Sequence, residues 1–190
     1  MVFVIGQRLI ETYSLPKRSN GLIVRPHSLT ILTVLHLGCM IGSILEYYLF
    51  TIHRGLVPMI SVLGFVLYVG GLLVRNWAKY TLRQHWSLQV EILPNHQIIR
   101  EGPYQYVRHP AYTAIIMEVI GIPMISNAYW TMMFFSLPYI CVLMWRVHIE
   151  EQALVQAVGE PYIQFQRDAP RFLPYKIKIF NKKRKSRQNL

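Results

Sequence analysis

The run LTILTVLHLGCMIGSILEYYLF, residues 29–50, decides what kind of protein this chain makes. Its only ionisable groups apart from cysteine and tyrosine are His36 and Glu46. A hydrocarbon core about 30 Å thick takes roughly 20 helical residues, with about 17 as the lower limit, and this run satisfies that length. A second run, LVPMISVLGFVLYVGGLLV at residues 56–74, carries no charge at all. A third at 111–126 contains Glu118 and is interrupted by Gly121 and Pro123, so it reads as a short span, tilted, kinked or partly interfacial. A fourth follows at 129–145 without a charge. Asn127 and Ala128 alone separate the third from the fourth, which predicts a tight antiparallel hairpin.

Composition agrees. Apolar residues make up 53% of the 190-residue chain and charged residues 15%, against about 25% charged in an ordinary soluble domain; mean hydropathy is +0.27. Those values exclude a disordered chain, a collagen and a coiled coil. Cys39 and Cys141 both lie inside apolar runs, which excludes a secreted disulfide scaffold and a cysteine zinc site. No metal-ligand spacing is present. Residues 1–13 are apolar but too short to span. They lack a basic leader and a small-residue cleavage site, which argues against a signal peptide.

The net charge of +11 is a matter of location. Basic residues gather before the first run, from Arg75 to Arg108, and after Arg146, ending in Lys182, Lys183, Arg184, Lys185 and Arg187. The two remaining connections, near Arg54 and near Asn127, hold one basic residue between them. By the positive-inside rule both termini and the 75–110 connection belong in the cytoplasm. The terminal cluster suits anionic lipid headgroups, at about 1 kcal/mol per basic residue near the surface. No aromatic-interleaved groove or nucleic-acid module accompanies the charge, so no nucleic-acid partner is expected. The sequence thus predicts an all-α integral membrane bundle of about four transmembrane helices: a single domain over residues 1–175, with its core at 75–175, and a basic cytoplasmic tail at 176–190.

Two polar clusters stand at the ends of the third and fourth runs. One is Arg108-His109-Pro110-Ala111-Tyr112, in which Pro110 suits the first turn of a helix, where a missing N–H leaves nothing unsatisfied. The other is Arg146-Val147-His148-Ile149-Glu150-Glu151, which places Arg146 and Glu150 on one helix face. Taken singly, the first reads as a basic aromatic collar at the membrane surface and the second as a surface ion pair. Taken together they say more, because a hairpin brings His109, Tyr112, Arg146 and Glu150 to one cytoplasmic end, beside the 89–104 segment. Beyond Arg146 a helix is expected to end at Gly159, with a short one after Pro161 that Pro170 stops. Glu118 reads either as a functional intramembrane group or as a neutral acid bonded to a neighbouring helix. His36 and Glu46 read as helix–helix hydrogen bonds.

In these clusters the sequence resembles the isoprenylcysteine carboxyl methyltransferase family, integral membrane enzymes with an Arg-His-Pro-x-Tyr…Glu-Glu signature shared with phospholipid N-methyltransferases. The likeness runs over about residues 75–175 and includes Gly159-Glu160-x-Tyr162 and Arg171-x-x-Pro174. It implies S-adenosylmethionine as cofactor, held by Gln89, by His96, Gln97, Ile98 and Ile99, by Tyr104, and by His109, Pro110, Ala111 and Tyr112. It implies Arg146 and Glu150 as the catalytic pair on the acceptor side. The chain lacks the additional N-terminal spans of the eukaryotic prenylcysteine enzymes and looks like a bacterial branch, similar in part to O-methyltransferases of long-chain alkylpyrones or phenolic lipids. That branch implies a bacterial inner membrane rather than the endoplasmic reticulum.

The implied reaction is O-methylation of a lipid-like acceptor. A carboxylate acceptor is ionised at pH 7 and needs orienting, which the planar fork of Arg146 can do. A hydroxyl acceptor must lose a proton, to Glu150 or to a neutral His109. The competing readings are a phospholipid N-methyltransferase, an NADPH-dependent sterol-reductase-like protein with a similar Arg-His-Pro-x-Tyr segment, and a non-catalytic membrane binding module.

Overall fold

The computed structural model describes residues 22–23, 27–82, 91–92 and 98–174. Four helical passages dominate it. Helix α1 (His27–Glu46) continues through a π-helical turn (Tyr47–Thr51) into Ile52–Arg54. Helix α2 is Pro58–Leu82 and α3 is Pro110–Ile125. The fourth passage enters through Tyr129–Thr131 and a π-helical turn (Met132–Ser136) into α4 (Leu137–Val158). Gly159, at φ 73°, breaks the chain's direction before the short α5 (Glu160–Asp168). Strand structure among the described residues amounts to one antiparallel bridge, β1 (Leu22–Ile23) with β2 (Glu91–Ile92). Ser28–Arg54, Pro58–Leu82 and Tyr129–Val158 are long and apolar enough to cross a membrane, and Pro110–Ile125 is a shorter apolar helix. Large apolar side chains such as Val34, Ile41, Met59, Phe65 and Leu73 face outward, as lipid-facing residues of a membrane bundle do.

The predicted hairpin is present. Pro110 opens α3, and the chain turns at Ser126, Asn127 and Ala128 before the fourth passage begins. Asn127, at φ 53°, fastens the turn: its Oδ1 accepts from the Val57 amide at 3.0 Å and its Nδ2 donates to Ser61 Oγ at 2.7 Å. Both connections at this end of the bundle are therefore tied together. Glu46 does similar work, accepting from the amides of Trp130 (3.1 Å) and Thr131 (2.7 Å) at the positive end of the fourth passage. Its expected helix–helix role is met. His36 is buried on α1 with its ring edge-on to Tyr139 of α4.

The tightest packing joins α2 to α3, where small residues let the backbones touch. A Cβ on Gly64 would lie 2.7 Å from the Ile125 amide nitrogen and 2.6 Å from Met124 Cβ, and one on Gly121 would lie 2.7 Å from the Gly64 carbonyl. Gly121, one of the two residues that mark the third span as short and tilted, kinked or partly interfacial, is also a packing contact. Gly64→Val should accordingly cost about 1–3 kcal/mol or more through overpacking, read as a lower melting temperature in detergent. Gly70→Ala, whose new methyl meets only the flexible tip of Met117 at 3.1 Å, should leave it nearly unchanged.

The second span runs past Val74, its expected end. Arg75 does not stop α2 because its charge is met inside the bundle: Nη1 donates to Glu118 Oε2 of α3 at 2.8 Å, with both side chains buried. Gly71 makes the room, since a Cβ there would lie 3.1 Å from Glu118 Cγ. Arg75 is thus no surface charge marking topology, and Glu118 is bonded to a neighbouring helix, its partner there being a guanidinium.

Candidate active site

The site forms where α3 begins and α4 ends. Arg146 and Glu150, one turn apart on α4, do not simply pair across that turn; the Tyr112 hydroxyl of α3 bridges them. It donates to Glu150 Oε2 at 2.6 Å and accepts from Arg146 Nε at 3.1 Å. Arg146 Nη1 donates in turn to Ser28 Oγ of α1 at 2.7 Å. Arg146 is 5% exposed and Ser28 4%. This is no solvated surface pair but a polar chain joining three helices, buried at Arg146 and Ser28 and part-buried at Tyr112 and Glu150, and lowered dielectric strengthens its bonds most at the buried end. Sequence reasoning misses Ser28; nothing in a serine before an apolar run marks it as the rest for an arginine 118 positions away.

Glu151 faces a different set of partners. Its Oε1 accepts from Arg108 (Nε at 3.0 Å, Nη2 at 2.8 Å) and lies 3.2 Å from His109 Nε2. Its Oε2 accepts from Arg171, Nε at 2.9 Å and Nη2 at 2.7 Å. Arg108 Nη1 also donates to the carbonyls of Gln166 (2.7 Å) and Ala169 (2.9 Å). The Arg108 and His109 amides bond to the carbonyls of Pro170 and Arg171. His109, 6% exposed, therefore joins the site's edge through Glu151, while its ring stays 5.6 Å from that of Tyr112.

The other expected cofactor positions divide. Pro110 is fully buried and Ala111 half-buried in the first turn of α3. Tyr104 sits half-buried in the 3₁₀ turn Gly102–Gln105. Burial, reinforced by the nearby negative charge of Glu150, pushes its phenol above the usual tyrosine range, so it stays a hydrogen-bond donor. Ile98 packs on the cluster of Tyr162, Phe165 and Ala169, and Ile99 beside it is half-buried. Arg100 holds the same stretch to α5, with its guanidinium 4.8 Å from the Phe165 ring centroid and Nη2 bonded to the Pro161 carbonyl. Gln89, His96 and Gln97 lie outside the described residues.

Fold and site together define a multi-pass membrane protein with a buried polar chemistry at one end of a helical hairpin. The model of the isoprenylcysteine carboxyl methyltransferase (ICMT) family matches residues 62–156, half of the chain. An uncharacterised protein of Haemophilus influenzae is 30% identical over 132 residues, covering 66% of this chain and 72% of that protein. The chain belongs to the ICMT family. Protein-S-isoprenylcysteine O-methyltransferase of Schizosaccharomyces pombe is 28% identical over 134 residues, 70% of this chain and 54% of the yeast protein. A solved structure of a eukaryotic intramembrane Ras methyltransferase aligns with a TM-score of 0.63 at 22% identity, over 81% of this chain and 55% of that one, a likeness of fold. The chain spans about half the length of these last two relatives.

Proposed function

We propose that the protein is an S-adenosylmethionine-dependent O-methyltransferase that methylates a carboxylate or hydroxyl of a lipid-like acceptor within the membrane. The observation that carries this reading is the part-buried Arg146–Tyr112–Glu150 chain at the mouth of the hairpin. The cofactor's chemistry fits the residues present. Glu150 offers a negative charge to a sulfonium, and Tyr104 and Tyr112 offer rings and hydroxyls beside it for a nucleoside. Ile98, Ile99, His109, Pro110 and Ala111 complete the wall in this assignment, with Gln89, His96 and Gln97 on the connection before it. When bound, S-adenosylmethionine supplies an electrophilic methyl on sulfur.

The protein's own part is alignment and exclusion of water. Tyr112 fixes the rotamers of Arg146 and Glu150 at once, and Ser28 fixes the far arm of the guanidinium. A carboxylate acceptor would be oriented by Arg146 through charge-assisted hydrogen bonds. A hydroxyl acceptor would give its proton to Glu150 at Oε1, the oxygen that Tyr112 does not engage. Membership of the ICMT family and the name of the yeast relative support methyl transfer to a lipidated group.

Purified protein in detergent should bind S-adenosylmethionine saturably and NADPH not at all, and should incorporate labelled methyl into a membrane lipid extract. Absence of S-adenosylmethionine binding would sink the proposal. The orientation is part of the same reading: residues 1–175 as one domain, the 176–190 tail and the site on the cytoplasmic side, in a bacterial inner membrane. Cysteines placed at Leu56, exposed in the α1–α2 connection, and at Ser186 should label from opposite sides of sealed vesicles in a Cys141→Ala background. Labelling from one side would remove the topology.

A further inference from the structure

Among the described residues Glu151 gathers two guanidiniums and an imidazole, a different set of partners from those of Glu150. Successive residues on a helix point about 100° apart, so Glu150 and Glu151 serve different neighbours. Glu150 turns to the hairpin interior. Glu151 turns to the segment after α5, gathering Arg108 and His109 on one oxygen and Arg171 on the other. That segment is held from a second side as well. Ile98 packs on Tyr162 and Phe165, and Arg100 Nη1 lies 3.4 Å from Asp168 Oδ2. One stretch of chain, α5 and residues 169–172, therefore links Ile98, the described end of one piece assigned to the cofactor, to the turn that begins at His109.

We infer that Glu151 is a positioning residue for the cofactor, fastening the 169–172 strap to Arg108 and His109 so that the two halves of the cofactor wall keep their spacing. The inference rests on the proposed function for the identity of the ligand but not for the existence of the fastener. Glu151 is 3% exposed, and its carboxylate serves three cationic or imidazole partners, so a neutral amide cannot replace it: a glutamine side chain would offer one acceptor oxygen where two are engaged. With the fastener loosened, the spans stay packed, because the α2–α3 contact and the Asn127 turn lie elsewhere. Cofactor affinity should fall while the catalytic chain of Arg146, Tyr112 and Glu150 is left in place.

Hydrogen exchange and cofactor titration, applied to the full chain in detergent, test this together. The amides of Arg108 and His109 donate to Pro170 and Arg171 at 2.9 and 3.0 Å, so a peptide covering them reports the strap directly, without any ligand. Glu151→Gln should speed exchange there and leave peptides of α1 and α2 as in wild type. It should raise the Kd for S-adenosylmethionine by about tenfold or more, with kcat at saturating cofactor within about twofold of wild type. Arg171→Gln, at a side chain 45% exposed and so little threat to folding, should shift both readouts in the same direction by less, and Arg171→Lys should recover part of each. Faster exchange with unchanged affinity in either variant overturns the inference, and so does lost affinity with unchanged exchange. A wild-type chain that binds no S-adenosylmethionine fails the functional proposal instead, and is recognised before any variant is compared.

Discussion

Glu118→Leu is expected to destabilise the folded protein by about 3–5 kcal/mol, the range for breaking a buried ion pair from one side. The carboxylate is 2.8 Å from Arg75 Nη1, and the two side chains are 1% and 2% exposed. Removing it leaves a guanidinium among apolar helices, and arginine cannot discard its proton to escape. The reverse change, Arg75→Met, should cost less, because a carboxyl left behind can take up a proton and persist as a neutral acid. Arg75→Met with Glu118→Leu removes both charges and should recover most of the stability, since well-packed apolar replacements of a buried pair are often neutral or better. Thermal unfolding in one detergent, with each variant's recovery from the membrane, orders the four proteins. If Glu118→Leu is as stable as wild type, or if the double variant is no better than the single, the pair does not hold α2 against α3.

The four passages are legible in the sequence because lipid imposes a length and an apolar composition that a single chain displays openly. Their ends are not. Arg75 looks like the end of the second span because a charge in isolation belongs in water, and the partner that cancels it lies 43 positions away. Gly121 looks like a weak point because its contact, the Gly64 carbonyl, belongs to another helix. The same distinction runs through the site. Arg146 and Glu150 share a helix face by spacing alone, and the hairpin logic brings Tyr112 to them. The bridging of the pair by Tyr112, however, depends on helix separation, which no spacing rule contains. His109, expected beside Arg146 and Glu150, makes its side-chain bond to Glu151 instead, because Glu150 is engaged by Tyr112 in the first turn of α3 while Glu151 meets the residues just before that helix. A signal for Glu151 is present in the sequence, as the second glutamate of the Glu-Glu signature with Arg108 before it and Arg171 after it, but their meeting depends on the fold.

Arg146→Lys is the change expected to cost the most rate. It keeps the positive charge and shortens nothing essential to packing, but it replaces a planar fork with a point charge. In wild type that fork is spread over two anchors, Nε on Tyr112 and Nη1 on Ser28, and an ammonium cannot hold both and still present two parallel donors to an acceptor. Methyl transfer into membrane lipid should fall by at least about tenfold, equivalent to 1.4 kcal/mol in the barrier, with S-adenosylmethionine affinity little changed. Tyr112→Phe should lower the rate through the same geometry, since it deletes the bridge and frees both Arg146 and Glu150 to rotate. Because the three side chains act as one unit, the Arg146→Lys/Tyr112→Phe double variant should lose far less than the product of the two single losses. Glu150→Gln then separates the acceptors: a hydroxyl substrate loses its base and is affected most severely near neutral pH, whereas a carboxylate substrate suffers only from a misplaced arginine. Each variant must first be shown to fold and to bind cofactor. Wild-type rates in all three would reduce the buried chain to a structural tie between α1, α3 and α4, and the acceptor would have to be sought elsewhere on the hairpin.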